Sequence, residues 1–124
     1  MTSTATKLAA VQAYVDGFAT GDAGAISALF ADDATVEDPV GTDEKTGRAA
    51  IHEFYVGAVA TGAKLEMLGE PRCAGDFVAF PFAVKLEWQG QKTTIEVIDT
   101  FKFNADGKII EMKAYWGPEN MTSA

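Results

Sequence analysis

The hydrophobic pattern of the chain is mainly helical in spacing over its first half, with one short alternating stretch, and alternates strictly thereafter. Over residues 3–20, Leu8, Val11, Tyr14, Val15 and Phe18 recur at three- and four-residue intervals, and Gly21 follows as a stop signal. This spacing predicts an amphipathic helix with Tyr14 on its core face. Asp22 is placed to cap a short second helix carrying Ile26, Leu29 and Phe30. Residues 34–38 read as a short strand ended by Pro39 and Gly41, with Ala34, Val36 and Asp38 sharing one face. After a polar loop at 42–46, residues 47–58 predict a third helix with Ile51, Phe54, Tyr55 and Ala58 on one side.

From Ala63 onward the period is two. A short strand at 64–67 precedes a long one at 77–88, whose even face is Phe80, Phe82, Val84, Leu86 and Trp88. Pro81 within it suggests a bulge or an unpaired stretch. Turns at Gln89-Gly90-Gln91 and at 104–107 flank a strand at 92–104. The last strand, 108–116, puts Ile110, Met112, Ala114 and Trp116 on its apolar face, and residues 119–124 read as a loose tail. Helices first and strands afterwards predict an α+β domain, with three helices packed on a curved, mainly antiparallel sheet. No repeat or linker interrupts it, so residues 1–124 read as one domain. A strongly curved sheet closed by helices encloses a cone-shaped apolar pocket, a natural small-molecule site.

The strand at 92–104 contains the position that does not fit. Ile95, Val97, Phe101 and Phe103 form an apolar face, and Asp99 sits in its middle. Burying an ionised carboxylate without partners is very costly. Either the register slips at a bulge, or Asp99 is held neutral, or it lines a cavity. A neutral carboxyl lining a cavity points toward chemistry. Tyr14 and Asp38 also fall on apolar faces, each on a separate element. Taken singly, a core tyrosine is ordinary packing and an Asp-Pro pair an ordinary turn start. Three such groups converging on one pocket are harder to explain as packing.

Their chemistry divides naturally. A carboxylate at a strand end near solvent, Asp38, can act as a general base toward a weakly acidic carbon proton. A tyrosine hydroxyl and a protonated Asp99 can both donate to the oxyanion that results, where a dry pocket makes donors strong.

Composition narrows the partners. With 10 basic and 18 acidic residues the net charge is −8, which disfavours nucleic acid and anionic membranes. The single cysteine, Cys73, cannot form an internal disulfide and reads as a small core or edge residue. No window approaches membrane-spanning length, and residues 1–7 lack a signal-peptide pattern. A soluble cytoplasmic protein is expected. Asp32, Asp33, Glu37 and Asp38 lack the ligand spacing of a calcium loop. His52, the one histidine, falls off the apolar helix face, which leaves no zinc site or His-based triad.

The segments Val11–Val15, Phe30–Gly41 and Ile98–Phe103 together resemble the bacterial Δ5-3-ketosteroid isomerases, over nearly the whole chain. The resemblance implies a cone-shaped fold of the nuclear-transport-factor-2 (cystatin-like) type, a homodimer, and no cofactor or metal. It implies that Asp38 moves a proton from C4 to C6 of a 3-oxo-Δ5-steroid, while Tyr14 and Asp99 hydrogen-bond the C3 oxygen. That division of labour is the known one for these isomerases, a standard example of burial holding a carboxylic acid protonated. Tyr55 matches a tyrosine supporting the oxyanion-hole tyrosine, and Trp116 an aromatic position beside the base. Phe30 stands where some members carry another tyrosine. Pro39 matches a position that can be cis. Phe82, Val84, Phe101 and Met112 would line the steroid pocket.

Overall fold

The computed structural model describes residues 2–123; Met1, and Ala124 at the end of the expected loose tail, lie outside the described residues. The chain begins with α1 (Thr4–Thr20) and α2 (Ala23–Ser27), followed by β1 (Phe30–Glu37), β2 (Lys45–Thr46) and α3 (Arg48–Ala60). Strands β3 (Lys64–Met67), β4 (Arg72–Ala74), β5 (Phe77–Trp88), β6 (Gln91–Phe103) and β7 (Ile109–Tyr115) follow. A single 3-10 turn then leads into β8 (Met121–Ser123). The strands form one sheet in the order β2-β1-β7-β6-β5-β3, with β4 joined to β5 and β8 to β6. Among the described residues only the β1–β7 pair is parallel. The result is the expected α+β arrangement of three helices on a mostly antiparallel curved sheet.

Local chemistry explains the helix boundaries. Ser3 accepts from the Thr6 N–H to cap α1, and Asp22 accepts from the Ala25 N–H to cap α2. Between them Gly21 takes the left-handed conformation at φ 69°, which lets the chain reverse at once. That reversal brings α2 hard against α1: a Cβ on Gly17 would lie 2.4 Å from Ile26 Cγ1.

The two long strands pair as their alternation requires, with Phe80 opposite Asp99, Phe82 opposite Val97 and Val84 opposite Ile95. Their inward side chains therefore meet on one face. Pro81 causes no bulge, because this register runs unbroken through Pro81 and Ile98. On its other edge β5 pairs with β4 over Phe77–Ala79 and with β3 over Phe82–Lys85. Pro81 falls in the gap between those partners, where a missing N–H costs least.

Four expectations need correcting. Leu8 is 40% exposed, whereas Lys7 and Ala10 are buried. The stripe is rotated by one position, and the Lys7 ammonium reaches the Gly75 carbonyl at 2.6 Å while its stem covers the core. Phe30 begins β1 instead of ending α2, and its ring is fully buried. In β7, Lys102 pairs with Glu111 but Phe103 with Ile109, so Ile110 is the extra residue of a bulge. Ile109 takes the core position in its place. Finally, residues 121–123 are not a loose tail but β8, paired with β6 at Thr93, Thr94 and Ile95.

Candidate active site

The helices and the concave sheet face enclose a cavity of about 350 Å³ whose wall is mostly apolar. Tyr14, Asp38 and Asp99 all open onto it, from α1, the end of β1 and β6. The ring of Tyr14 is held by packing. It meets Phe18, Tyr55, Phe80 and Phe101 edge-on, at centroid distances of 5.3, 5.7, 6.2 and 5.2 Å. Each such contact contributes about 0.5–1.5 kcal/mol beyond simple burial, so the ring has one favoured placement. Its hydroxyl is then fixed by the Tyr55 hydroxyl at 3.0 Å. Where a further tyrosine could extend that chain, Phe30 offers only its ring, 5.8 Å from Tyr55.

Asp38 lies one residue beyond β1, and the peptide joining it to Pro39 is cis. The Val40 N–H bonds the Ala114 carbonyl at 2.9 Å, which ties this turn to β7. Glu37 faces away, accepting from the Gly41 N–H at 2.7 Å. The Asp38 carboxylate accepts from the Trp116 indole N–H at 2.9 Å. Burial raises its pKa, while that indole bond and the Lys45 charge oppose the rise.

Asp99 is 1% exposed, and neither of its carboxyl oxygens makes a hydrogen bond of ordinary geometry within the protein. Burial pushes its pKa far above the usual carboxylate range and the charge of Asp38 pushes it further, with only the nearby Tyr14 hydroxyl opposing. An ionised carboxylate so enclosed would cost several kcal/mol, which favours the neutral form of Asp99. Tyr14 and Tyr55 are likewise raised well above 10, by burial first and by neighbouring acidic groups next. Both phenols keep their protons. The site therefore brings together two carboxyl groups, the more deeply buried of them favoured in its neutral form, and a phenol. That combination can remove a proton at one point and stabilise developing negative charge at another.

Tyr55, Phe82, Val84 and Trp116 line the cavity. Phe101 and Met112 do not. Both are fully buried beneath its floor, where Phe101 packs against Phe30, Phe80 and Phe103. Beyond Asp99 the space under α1 is filled by these rings, so the wall ends there. The outer wall is instead formed by Leu65, Leu86, Trp88 and Ile95. Three of these continue the inward faces of β5 and β6, and the alternation itself is the sequence signal for them. Lys45, whose charge opposes the rise at Asp38, falls in a stretch that reads as polar loop from the sequence.

Among the described residues no cluster of His, Cys, Asp and Glu could hold a metal ion. His52 is exposed and bonds only the Ser27 hydroxyl, at 3.0 Å. No helix among the described residues is long and apolar enough to cross a membrane.

Comparison with known proteins shows the family. Residues 11–112 match the SnoaL-like domain family. The chain is 50% identical over 115 residues to a steroid Delta-isomerase of Nocardioides simplex, covering 91% of each protein. It is also 35% identical over 95 residues to the epoxide hydrolase LasB of Streptomyces lasalocidi, covering 72% of this chain and 33% of that one. Among solved structures, SalBIII superposes with a TM-score of 0.92 and 28% identity over the whole of both chains. SalBIII is described as an epoxide hydrolase/cyclase-like enzyme with a role in pyran ring formation in polyether salinomycin.

Proposed function

Since the chain belongs to the SnoaL-like family, with its nuclear-transport-factor-2-like fold, we propose that its cavity performs the reaction named for its half-identical relative, steroid Δ-isomerisation. Asp38 takes a proton from C4 of a 3-oxo-Δ5-steroid, and the electron pair of the broken C–H bond moves toward the C3 oxygen. Tyr14 and protonated Asp99 donate hydrogen bonds to that oxygen, with the Tyr55 hydroxyl donating to Tyr14. Asp38 then returns the proton to C6, leaving the conjugated Δ4 ketone. No cofactor takes part, and the net reaction moves one proton and one double bond.

One observation carries this reading: a buried carboxyl with no hydrogen-bond partner in the protein, that of Asp99, lines the same apolar cavity as the carboxyl of Asp38. Leaving a buried polar group unpaired costs about 1–3 kcal/mol. A substrate oxygen in the cavity would supply the partner. Each donor to a developing oxyanion contributes roughly 10²–10³ in rate. The implied homodimer belongs to this reading too, and Ile98 on β6 and Tyr115 on β7 leave apolar area exposed for it, with Leu68 just beyond β3.

The similarity to epoxide hydrolase/cyclase-like proteins supports a second reading. A neutral acid and a carboxylate on one cavity can also protonate an epoxide oxygen while activating a nucleophile.

The test is ultraviolet absorbance after a Δ5-3-ketosteroid is added to the wild type and to Asp38→Asn. Appearance of the conjugated enone with the wild type alone supports isomerisation with Asp38 as base. Comparable turnover in the variant rejects that mechanism. Steroid binding without turnover in either protein identifies a carrier, and neither binding nor turnover directs the assay to epoxides.

A further inference from the structure

Lys45 sits on β2, directly across from Val36 on β1. Residues opposite one another in a ladder project from the same face, and Asp38 follows Val36 by two. Lys45 therefore shares the Val36/Asp38 face. Its ammonium lies over the ring of Phe54, 4.9 Å from the centroid, and Phe54 lines the cavity. Such a cation–π perch is worth about 0.5–1 kcal/mol and keeps the charge at the wall. Its one polar contact is a long one, 3.4 Å to the Asp43 carbonyl. Among the described residues no carboxylate pairs with it within 4 Å.

The other groups around Asp38 do not supply a positive charge. From α1 and α3 come the Tyr14 and Tyr55 hydroxyls, from β6 the Asp99 carboxyl, and from beyond β7 the neutral Trp116 indole. On β1 itself Glu37 is occupied with Gly41. Arg48, at the start of α3, is committed to Asp32 at 3.2 Å and to the Phe30 carbonyl.

We propose that Lys45 is a positioning residue for the base: from across the β1–β2 ladder, held on Phe54, its charge keeps Asp38 ionised at pH values where it would otherwise take up a proton. The proposal rests on Asp38 being the base. It acts through space rather than by contact, so charge matters and side-chain shape does not.

The experiment pairs a ¹³C-carboxyl NMR titration of Asp38 with the pH profile of kcat/KM, in the wild type, Lys45→Met and Lys45→Arg. Lys45→Met should move both the titration and the acid limb to higher pH. On the acid side this appears as an about threefold lower kcat/KM, the size of one solvent-screened charge pair, with the plateau unchanged. Lys45→Arg should restore the wild-type curves. Superimposable Asp38 titrations in wild type and Lys45→Met would overturn the proposal. So would a loss of activity equal at every pH, which marks a structural role. If no protein turns over the steroid, the isomerase reading fails, and the NMR titration still decides for or against Lys45.

Discussion

Two aspartates of equal intrinsic acidity are driven apart by their surroundings. Asp38 has an indole N–H and a lysine charge, whereas Asp99 is more deeply buried, with another acid nearby and only the Tyr14 hydroxyl opposing the rise. Replacing Asp99 by Asn keeps a donor, while Asp99→Leu removes it. Turnover should therefore fall further in the Leu variant, with a gap of roughly tenfold or more, read from kcat at saturating steroid. Tyr14→Phe should lower kcat by about 10²–10³ with little change in KM. If melting temperature falls and kcat does not, Tyr14 is a packing residue. These positions were legible in the sequence because alternation and helical spacing expose a polar residue on an apolar face. Phe101 and Met112 misled for the same reason: periodicity says which way a side chain points, not whether a ring or a cavity awaits it.

At the scale of elements, what stayed hidden was set by contacts distant in sequence. The segment after Gly117 has no strong β pattern, yet β8 exists because the start of β6 offers it an open edge. Ile95, which β8 pairs through Met121, also forms the outer cavity wall. Deleting residues 119–124 should cost roughly 1–3 kcal/mol in urea unfolding, from a few ladder hydrogen bonds, and should weaken steroid binding. Unchanged affinity would separate the strand from the site. The bulge at Ile110 is equally invisible in the sequence, since both Ile109 and Ile110 suit an inward position. The α1–α2 corner makes the opposite kind of test. Alanine in place of Gly17 gains about 1 kcal/mol of helix propensity. Against it stands a 2.4 Å approach to Ile26, a side chain with no exposed surface. Overpacking of this kind costs typically 1–3 kcal/mol, so Gly17→Ala should unfold at lower urea. A more stable variant would mean that the corner can open.

For the whole molecule, the four perturbed groups act in one direction. The unfolded chain ionises its aspartates near pH 4, while folded Asp99 stays protonated well above that. The native state then holds more protons, so stability falls as pH rises through the folded pKa. Asp38 adds to this with the same sign, and Tyr14 and Tyr55 repeat it above pH 10. A net charge of −8 adds self-repulsion. The two ion pairs found among the described residues are both solvent-exposed and contribute little in return. The urea midpoint should therefore be higher at pH 5 than at pH 9, and Asp99→Asn should narrow the difference. A midpoint that rises with pH would mean that Asp99 is ionised in the folded protein.

The indole of Trp116 donates to the carboxylate proposed as the base, Asp38, and the chain's only other tryptophan, Trp88, stands 54% exposed on a hairpin. With Trp88 replaced by Phe, tryptophan emission would come from Trp116 alone. An indole changes its fluorescence when the group it donates to gains a proton or loses its water. The protein thus carries its own optical indicator, able to follow the charge on Asp38 and the filling of the cavity in real time, with no label and no turnover.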